Sequence, residues 1–145
     1  MKDSEHKIQV ALMDYLAVAG RRDLHWFAIP NGGHRHIRQA SKLKAEGVRR
    51  GTPDLCFMLP DGKVGWLEMK TVKGQLSPEQ KRFRDIAQQL GHLWAMAKSV
   101  DDAIRVLTEW QVLRSAYRRT TSFFATDHLE TIQHKPKEIP SGTQA

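Results

Sequence analysis

Two carboxylates and one ammonium occur in this chain at spacings that can create a site for a divalent cation. Asp54 precedes one apolar run, and Glu68 and Lys70 lie at the far end of the next run. If the two runs pair as antiparallel strands, opposite residues point to the same face, and a period of two adds Lys70 to it. Like charges directly opposite each other destabilise a sheet unless something neutralises them. A divalent cation would do so, and the pattern therefore predicts metal chemistry on that face.

The turn between the two runs decides whether these side chains meet. Pro60-Asp61-Gly62 is typical of a three-residue hairpin loop, with proline presetting φ, aspartate tolerating the second position and glycine taking the left-handed third. Such a loop pairs Leu59 with Lys63, and counting outward places Asp54 opposite Glu68. A two-residue turn would instead rotate Asp54 off the metal face. The register of this hairpin therefore carries the functional hypothesis.

Hydrophobic periodicity and turn residues predict the elements that must position this hairpin. Ser77-Pro78-Glu79-Gln80 has the N-cap, the proline at the first helical position and the glutamine of a capping box, and so begins a helix. The predicted order is helix, three strands, helix, strand, helix, with a short basic helix after the first strand. The predicted bounds are 4–19, 25–29, 36–46 for the short basic helix, 55–59, 64–70, 77–91, 93–97 and 101–113.

The composition indicates one basic domain followed by a tail. The 145 residues contain 23 Lys and Arg against 16 Asp and Glu, a formal net charge of +7, of which residues 1–114 carry +6. This charge favours a polyanionic partner, although many basic proteins bind none. From residue 115 to 145 the chain shows neither periodicity nor core residues, and we expect a flexible tail there. The folded domain is thus predicted over residues 1–114.

Cysteine content and hydropathy limit the class of protein further. Cys56 is the only cysteine, which excludes an internal disulfide and a Cys-rich zinc site and is compatible with a reducing cytoplasm. The sequence has neither the apolar segment of a signal peptide nor a run long enough to span a bilayer. We therefore expect a soluble, cytoplasmic protein with no membrane partner.

Several motifs resemble one family of nucleases. Pro53-Asp54, the triplet Glu68-Met69-Lys70 and the order of elements resemble the PD-(D/E)xK nuclease superfamily. Further motifs narrow the resemblance to its virus-type replication-repair nuclease (VRR-NUC) domains, over roughly residues 4 to 110. These motifs are Glu5 with Gln9, Pro30-Asn31-Gly32-Gly33 with Arg35, Gly51-Thr52-Pro53-Asp54, and Gln75-Leu76-Ser77 with Gln80. The resemblance implies an α/β, restriction endonuclease-like αβββαβ core with a mixed sheet flanked by helices.

The resemblance also implies a metal-dependent deoxyribonuclease that uses Mg²⁺ or Mn²⁺. Phosphodiester hydrolysis needs a water nucleophile and neutralisation of the charge that develops on the phosphoryl oxygens. Asp54 and Glu68 would supply the principal metal oxygens, which suit these hard cations, and the backbone carbonyl of Met69 would add another. Lys70 would orient the attacking water.

Glu5 and Gln80 are second candidates for the site, and each also has a simple structural explanation. Glu5 would bind a second metal position directly or through water, but a glutamate in the first turn also complements the helix dipole. Gln80 would overhang the sheet beside Glu68, but its capping box with Ser77 alone would account for it.

Basic residues near the hairpin are candidates for DNA contacts. Glycines allow close approach of a backbone, and cations contact phosphates, although a solvated basic loop is almost as good an explanation. The candidates are Asn31, His34, Arg35, Arg38, Lys42, Lys44, Arg49, Arg50 and Lys73.

By resemblance to stand-alone VRR-NUC domains of phage and bacteria, the substrate is predicted to be branched DNA such as four-way junctions, cut by a homodimer. Two alternatives remain. The chain could be a non-catalytic junction-binding module on the same fold, or a restriction-type or end-processing nuclease. The intact Asp54, Glu68 and Lys70 argue against the binding module, because binding alone does not require a carboxylate pair.

Overall fold

The helices and strands follow the predicted order closely. The computed structural model describes residues 2–30 and 37–118. This part of the chain contains four α-helices and four strands, and two single-turn 3₁₀ helices cover Pro60–Gly62 and Ser115–Tyr117. The elements are α1 (Lys2–Ala19), β1 (His25–Ala28), α2 (Ile37–Ala45), β2 (Leu55–Met58), β3 (Val64–Met69), α3 (Pro78–Gln89), β4 (Leu93–Ala97) and α4 (Val100–Glu109).

The four strands form one mixed sheet in the order β1-β2-β3-β4. The first three strands are antiparallel neighbours, whereas β4 runs parallel to β3. Parallel neighbours need a crossover, and α3 provides it. The prediction of an α/β fold with a mixed sheet flanked by helices is therefore confirmed.

One face of the sheet packs on α1 and α4 and forms the hydrophobic core. Phe57 lies fully buried on this face, with the ring of Trp26 at 6.5 Å and the edge of Trp110 at 6.0 Å. Alternation along a strand sends every second residue to this face. The buried cluster contains Leu12, Leu16, Ala19, Leu55, Phe57, Leu67, Met69, Ala97, Ala103, Ile104, Leu107, Val112 and Leu113.

The opposite face is covered by α3 and carries the remaining tryptophans of the sheet. Trp66 meets the ring of Phe83 on α3 edge-on at 5.0 Å, and the guanidinium of Arg84 lies 5.9 Å from the ring of Trp94. Trp66 and Trp94 on this face, like Trp110 on the other, therefore act as packing residues.

The hairpin has the register that a three-residue loop requires. Cys56 pairs with Trp66, and the backbone N–H of Leu59 donates to the carbonyl of Lys63 at 3.0 Å. The predicted register is confirmed. Asp61 as well as the glycine after it adopts a left-handed φ, at 63° and 70°. The loop therefore uses two left-handed residues.

The last helix is shorter than predicted. It ends at Glu109 instead of Leu113, because Gln111 adopts a left-handed φ of 57° that a helix cannot accommodate. Val112 and Leu113 are still fully buried, outside the helix. Periodicity in the sequence could not separate burial within a helix from burial just after it.

The described chain ends shortly after the predicted domain boundary. Ser115–Tyr117 form a single 3₁₀ turn, and Nε of Arg118 donates to the carbonyl of Leu113 at 3.1 Å. The boundary at residue 114 remains a prediction, and the rest of the predicted tail, 119–145, lies outside the described residues. Within the described ranges, no helix combines the length and the hydropathy that crossing a membrane requires.

Candidate active site

Asp54 and Glu68 meet at the end of the hairpin that lies farthest from its loop. Leu55 pairs with Leu67, and continuing that register by one residue places Asp54 opposite Glu68. Because Leu59 and Lys63 form a hydrogen-bonded pair, alternation makes the Asp54 and Glu68 position a non-hydrogen-bonded one. Opposite Cα atoms are then only about 4.5 Å apart. The two carboxylates are held on the face that α3 covers.

Glu68 is the centre of the polar contacts on this face. Its Oε1 lies 2.8 Å from Nζ of Lys70 and accepts a hydrogen bond from Nε2 of Gln80 at 2.5 Å. The side chain of Glu68 is 3% exposed and that of Lys70 is 14% exposed. A buried carboxylate needs such donors, because removal of its hydration is otherwise costly.

The contacts with Lys70 and Gln80 do not fully offset the cost of burying the charged Glu68 carboxylate. Burial, and then the charge of Asp54, raise the pKa of Glu68 from an ordinary 4.5 to about 7, against the opposing effect of Lys70. Burial also raises the pKa of Asp54, while the Met69 N–H and the charge of Lys70 lower it. Two carboxylates with raised pKa values side by side are a pair that a bound cation stabilises in the ionised form.

Asp54 is also a structural residue. Its Oδ2 accepts the backbone N–H of Met69 at 2.7 Å, and its carbonyl accepts the N–H of Ile29 on the β1 side at 2.8 Å. In this register Met69 would pair with Pro53, which has no N–H and so cannot continue the ladder. The carboxylate of Asp54 thus accepts the Met69 N–H at the end of the β2–β3 ladder, where no further ladder hydrogen bond can form.

The carbonyl of Met69 is directed toward the same carboxylate. The N–H of Lys70 donates to the carbonyl of Ala97 on β4 at 2.9 Å. In a trans peptide the C=O and the following N–H point in opposite directions, so the Met69 carbonyl points away from β4 and toward the side of Asp54. Pro53 cannot donate to it. The predicted backbone ligand is therefore correctly oriented.

Glu5 brings α1 to the site. Its Oε1 accepts the N–H of Thr71, directly after Lys70, at 3.1 Å. Its charge is close enough to contribute to the raised pKa values of Asp54 and Glu68, after burial and the nearer groups. Glu5 therefore joins the carboxylate cluster as well as starting a helix.

Gln80 performs both of the roles that its position suggested. Its Oε1 accepts the N–H of Ser77 at 2.9 Å, and its own N–H donates to Oγ of Ser77 at 3.2 Å, which completes the capping box. The other end of the same amide, Nε2, donates to Glu68. The cap thus orients the amide toward the carboxylate.

The donor set fits Mg²⁺ or Mn²⁺ better than a metal with several protein ligands. Within residues 2–30 and 37–118, no three His, Cys, Asp or Glu side chains converge as a complete ligand group. Mg²⁺ usually binds through one or two carboxylates and keeps several waters. Asp54, Glu68 and the Met69 carbonyl provide a set of that kind.

The predicted DNA-contact residues that the structure describes lie on α2 and in loops. Lys42 and Lys44 are exposed on α2, with Lys42 at 3.8 Å from Glu46, and three further cations are exposed in the loops beside the site. Residues 31–36 are outside the described ranges, and with them Asn31, His34 and Arg35. Arg38 lies on α2, but its side chain is not among those described. The three loop cations are Arg49, Arg50 and Lys73.

Sequence patterns missed Lys98, which lies beside the site. It directly follows β4 as Lys70 follows β3, and its Nζ donates to the carbonyl of Val72 at 3.0 Å. This bond ties the turn after Lys70 to the neighbouring strand. The parallel pairing of β3 and β4 would have indicated that Lys98 lies near Lys70, because the carboxyl ends of parallel strands meet at one edge of a sheet.

The two roles of Asp54 predict different results for two substitutions. Asp54→Asn keeps an oxygen that can accept the Met69 N–H, whereas Asp54→Ala leaves this buried donor unpaired. We expect both variants to lose cleavage, but the alanine variant to be less stable than the asparagine variant by about 1–3 kcal/mol. Urea unfolding of the metal-free proteins measures this difference. Equal stabilities would contradict the structural role of Asp54.

A mixed sheet flanked by helices, with Asp54, Glu68 and Lys70 at the ends of paired strands, defines the class of PD-(D/E)xK nuclease folds. The chain belongs to the VRR-NUC family, because the family model for the VRR-NUC domain matches residues 5–101. It is therefore a nuclease-type, DNA-processing domain.

A solved structure supports the fold. A chain described as a VRR_NUC domain protein superimposes with a TM-score of 0.60 at 21% sequence identity, covering 75% of this chain and 89% of that chain. No match was found among curated proteins.

Proposed function

We propose that this domain is a divalent-metal-dependent DNA endonuclease that acts on branched DNA such as four-way junctions. The observation that carries the metal-dependent step is the pair of adjacent carboxylates, buried Glu68 and half-buried Asp54, with Lys70 at 2.8 Å from Glu68. Adjacent carboxylates whose pKa values are both raised are typical of functional sites, and a bound cation would stabilise their ionised forms.

Each group has a distinct task in hydrolysis. Asp54, Glu68 and the Met69 carbonyl would hold the metal, and Glu5 would bind a second position directly or through water. A divalent cation at this site would supply neutralisation of charge on the phosphoryl oxygens and a lowered pKa of water. Lys70 donates a hydrogen bond to the attacking water and stabilises the negative charge that it develops. Gln80 fixes the orientation of the Glu68 carboxylate.

The choice of branched DNA and of a homodimer rests on the resemblance to stand-alone VRR-NUC domains. A two-fold dimer would present two active sites to two strands of a junction. By the same resemblance, we expect the activity in the cytoplasm of a bacterial or phage-infected cell. These parts of the proposal do not depend on the metal site.

A cleavage panel tests the reaction and the substrate together. Duplex, flap and four-way junction DNA are incubated with Mg²⁺ or Mn²⁺, with and without chelator, beside the Asp54→Asn variant. We expect metal-dependent cutting of the four-way junction at a higher rate than of the duplex. Equal rates on all three would reject the branch preference. Junction binding without cleavage, unchanged by Asp54→Asn, would support a non-catalytic binding module instead.

The exposed lysines of α2 are proposed to contact backbone phosphates. Replacing both Lys42 and Lys44 with alanine is expected to weaken DNA binding and to reduce the slope of log K against log salt by about 1–2. Binding is measured in the Asp54→Asn background, so that the DNA remains intact. Lys63→Ala, at the exposed hairpin loop on the other end of β3, is the control and should leave the slope unchanged. If the slope of log K against log salt is the same for all proteins, α2 does not contact DNA phosphates.

A further inference from the structure

We propose that Gly51 is a positioning residue that fixes the distance between two parts of the metal site. One part is Asp54, and the other is Glu68 with Gln80. It contacts neither metal nor DNA in this proposal. Its lack of a side chain lets the segment before Asp54 lie directly on the first turn of α3, which carries Gln80. The inference rests on the proposed metal site and adds a residue whose function is to hold that site together.

The contact at Gly51 is a contact with backbone. A Cβ at this position would lie 2.5 Å from the carbonyl carbon of Glu79, 2.6 Å from its oxygen and 2.9 Å from the nitrogen of Gln80. Real Cβ atoms essentially never come this close to other atoms. A flexible side chain could move aside, but these atoms belong to the first turn of a capped helix. Any residue larger than glycine must therefore push the segment and the helix apart.

The segment transmits such a displacement to the site. Oγ1 of Thr52 donates to the carbonyl of Arg49 at 3.1 Å, which closes a turn around Gly51. Pro53 follows, fully buried and with a fixed φ, and Asp54 comes directly after it. Two residues therefore separate the contact from Asp54, and both are constrained. Movement at Gly51 changes the position of Asp54.

The other side of the contact leads equally directly to the site. Gln80 follows Glu79 and donates to Glu68 at 2.5 Å. The pKa of Glu79 is lowered by its own backbone N–H and the Ser77 hydroxyl and, to a smaller extent, by the charge of Arg50, which therefore lies near this turn. The contact thus joins the Asp54 side of the site to the side formed by Glu68 and Gln80.

Gly47 offers a matched control for the backbone strain. Both glycines have a left-handed φ, 85° at Gly51 and 94° at Gly47, so alanine is strained at either position. A Cβ at Gly47 would meet nothing within 4 Å, in contrast to Gly51. The difference between Gly51→Ala and Gly47→Ala therefore reports the contact with α3 and removes the common cost of the conformation.

The experiment measures metal binding as well as cleavage. Mn²⁺ affinity is determined by calorimetry for the full chain and for both alanine variants, whose folding is checked by circular dichroism. We expect Gly47→Ala to bind Mn²⁺ within about twofold of wild type, and Gly51→Ala to bind about 10–100-fold more weakly. For cleavage, we expect Gly51→Ala to lower kcat with little change in KM for DNA. Equal Mn²⁺ affinity in the two alanine variants would overturn the inference.

A second pair of variants protects the test against misfolding. Asparagine adopts a left-handed φ more readily than alanine, so Gly51→Asn and Gly47→Asn reduce the strain but keep the Cβ. The same difference in Mn²⁺ affinity is expected. If neither Gly51 variant folds while both Gly47 variants do, Gly51 is a requirement of the whole fold and the positioning role is rejected. If the wild-type protein binds Mn²⁺ but cuts no DNA, the proposed nuclease function fails, while the affinities still decide the role of Gly51.

Discussion

Glu68→Gln is expected to abolish Mn²⁺ binding and to lower cleavage by roughly 10²–10³-fold or more, the cost of losing a principal electrostatic contact in an active site. Glutamine keeps the size of the side chain and an oxygen that can accept from Gln80, so the fold is retained. The substitution removes only the charge that the metal requires. A variant that still binds Mn²⁺ with wild-type affinity would exclude Glu68 as a ligand.

The same substitution changes how stability depends on pH. The pKa of Glu68 is about 7 in the folded protein against an ordinary 4.5, so the folded state binds the proton more tightly than the unfolded state. Stability of the metal-free protein therefore falls as pH rises from about 4.5 to 7, by up to about 3 kcal/mol. The raised pKa of Asp54 acts in the same direction. Glutamine does not ionise. The variant therefore does not show the fall in stability with rising pH that ionisation of Glu68 causes in the wild type.

Unfolding curves at several pH values measure the effect. We expect the stability of Glu68→Gln relative to wild type to increase between pH 5 and pH 8 in the presence of chelator. Glu109→Gln, an exposed position on α4, is the control and should follow the wild-type pH dependence. Adding Mn²⁺ at pH 8 should stabilise wild type but not Glu68→Gln, since only the wild type binds it. Parallel curves for all three proteins would contradict the raised pKa.

Lys70→Met separates the chemical step from metal binding. Lysine is not a metal ligand in the proposed mechanism, so removing its charge at pH 8 is expected to leave Mn²⁺ affinity unchanged or improved. Cleavage should nevertheless fall by roughly 10²–10³-fold, because the attacking water loses its donor. At pH 6 the variant should bind Mn²⁺ more weakly than wild type, since Glu68 then lacks the ammonium that favours its ionised form.

Lys98→Met is the matched control for this variant. Lys98 is also a half-buried lysine at the end of a parallel strand, but its ammonium donates to the Val72 carbonyl, and among the described residues no carboxylate forms an ion pair with it. We expect its loss to reduce cleavage by less than about tenfold, the lower limit for removing a supporting residue. If both methionine variants cleave equally poorly, the effect of Lys70 is structural. Steady-state rates and Mn²⁺ titrations at pH 6 and pH 8 measure all of these outcomes.

The hairpin could be predicted because its signals are local. A proline, an aspartate and a glycine in the loop set its length, and the length sets the register for every residue of both strands. The capping box at Ser77 likewise determined where α3 begins. Predictions of this kind need only neighbouring residues, and they placed Asp54, Glu68 and Gln80 correctly relative to the sheet.

Contacts between distant parts of the chain could not be predicted in the same way. Glu5 meets Thr71 across 66 positions, and only the packing of α1 against the sheet brings them together. The close approach of Gly51 to Glu79 and the position of Lys98 are likewise consequences of the fold. A glycine in a loop looks the same in sequence whether its surroundings are open, as at Gly47, or filled.

Gln80 also limits how this protein can be stabilised by design. A glutamate at the third position of a capping box is a standard choice for strengthening the start of a helix, and Gln80→Glu would preserve the bond to the Ser77 N–H. It would also replace a donor amide by a second carboxylate 2.5 Å from Glu68. An engineer who improved this helix by the usual rule would thus introduce charge repulsion into the catalytic centre.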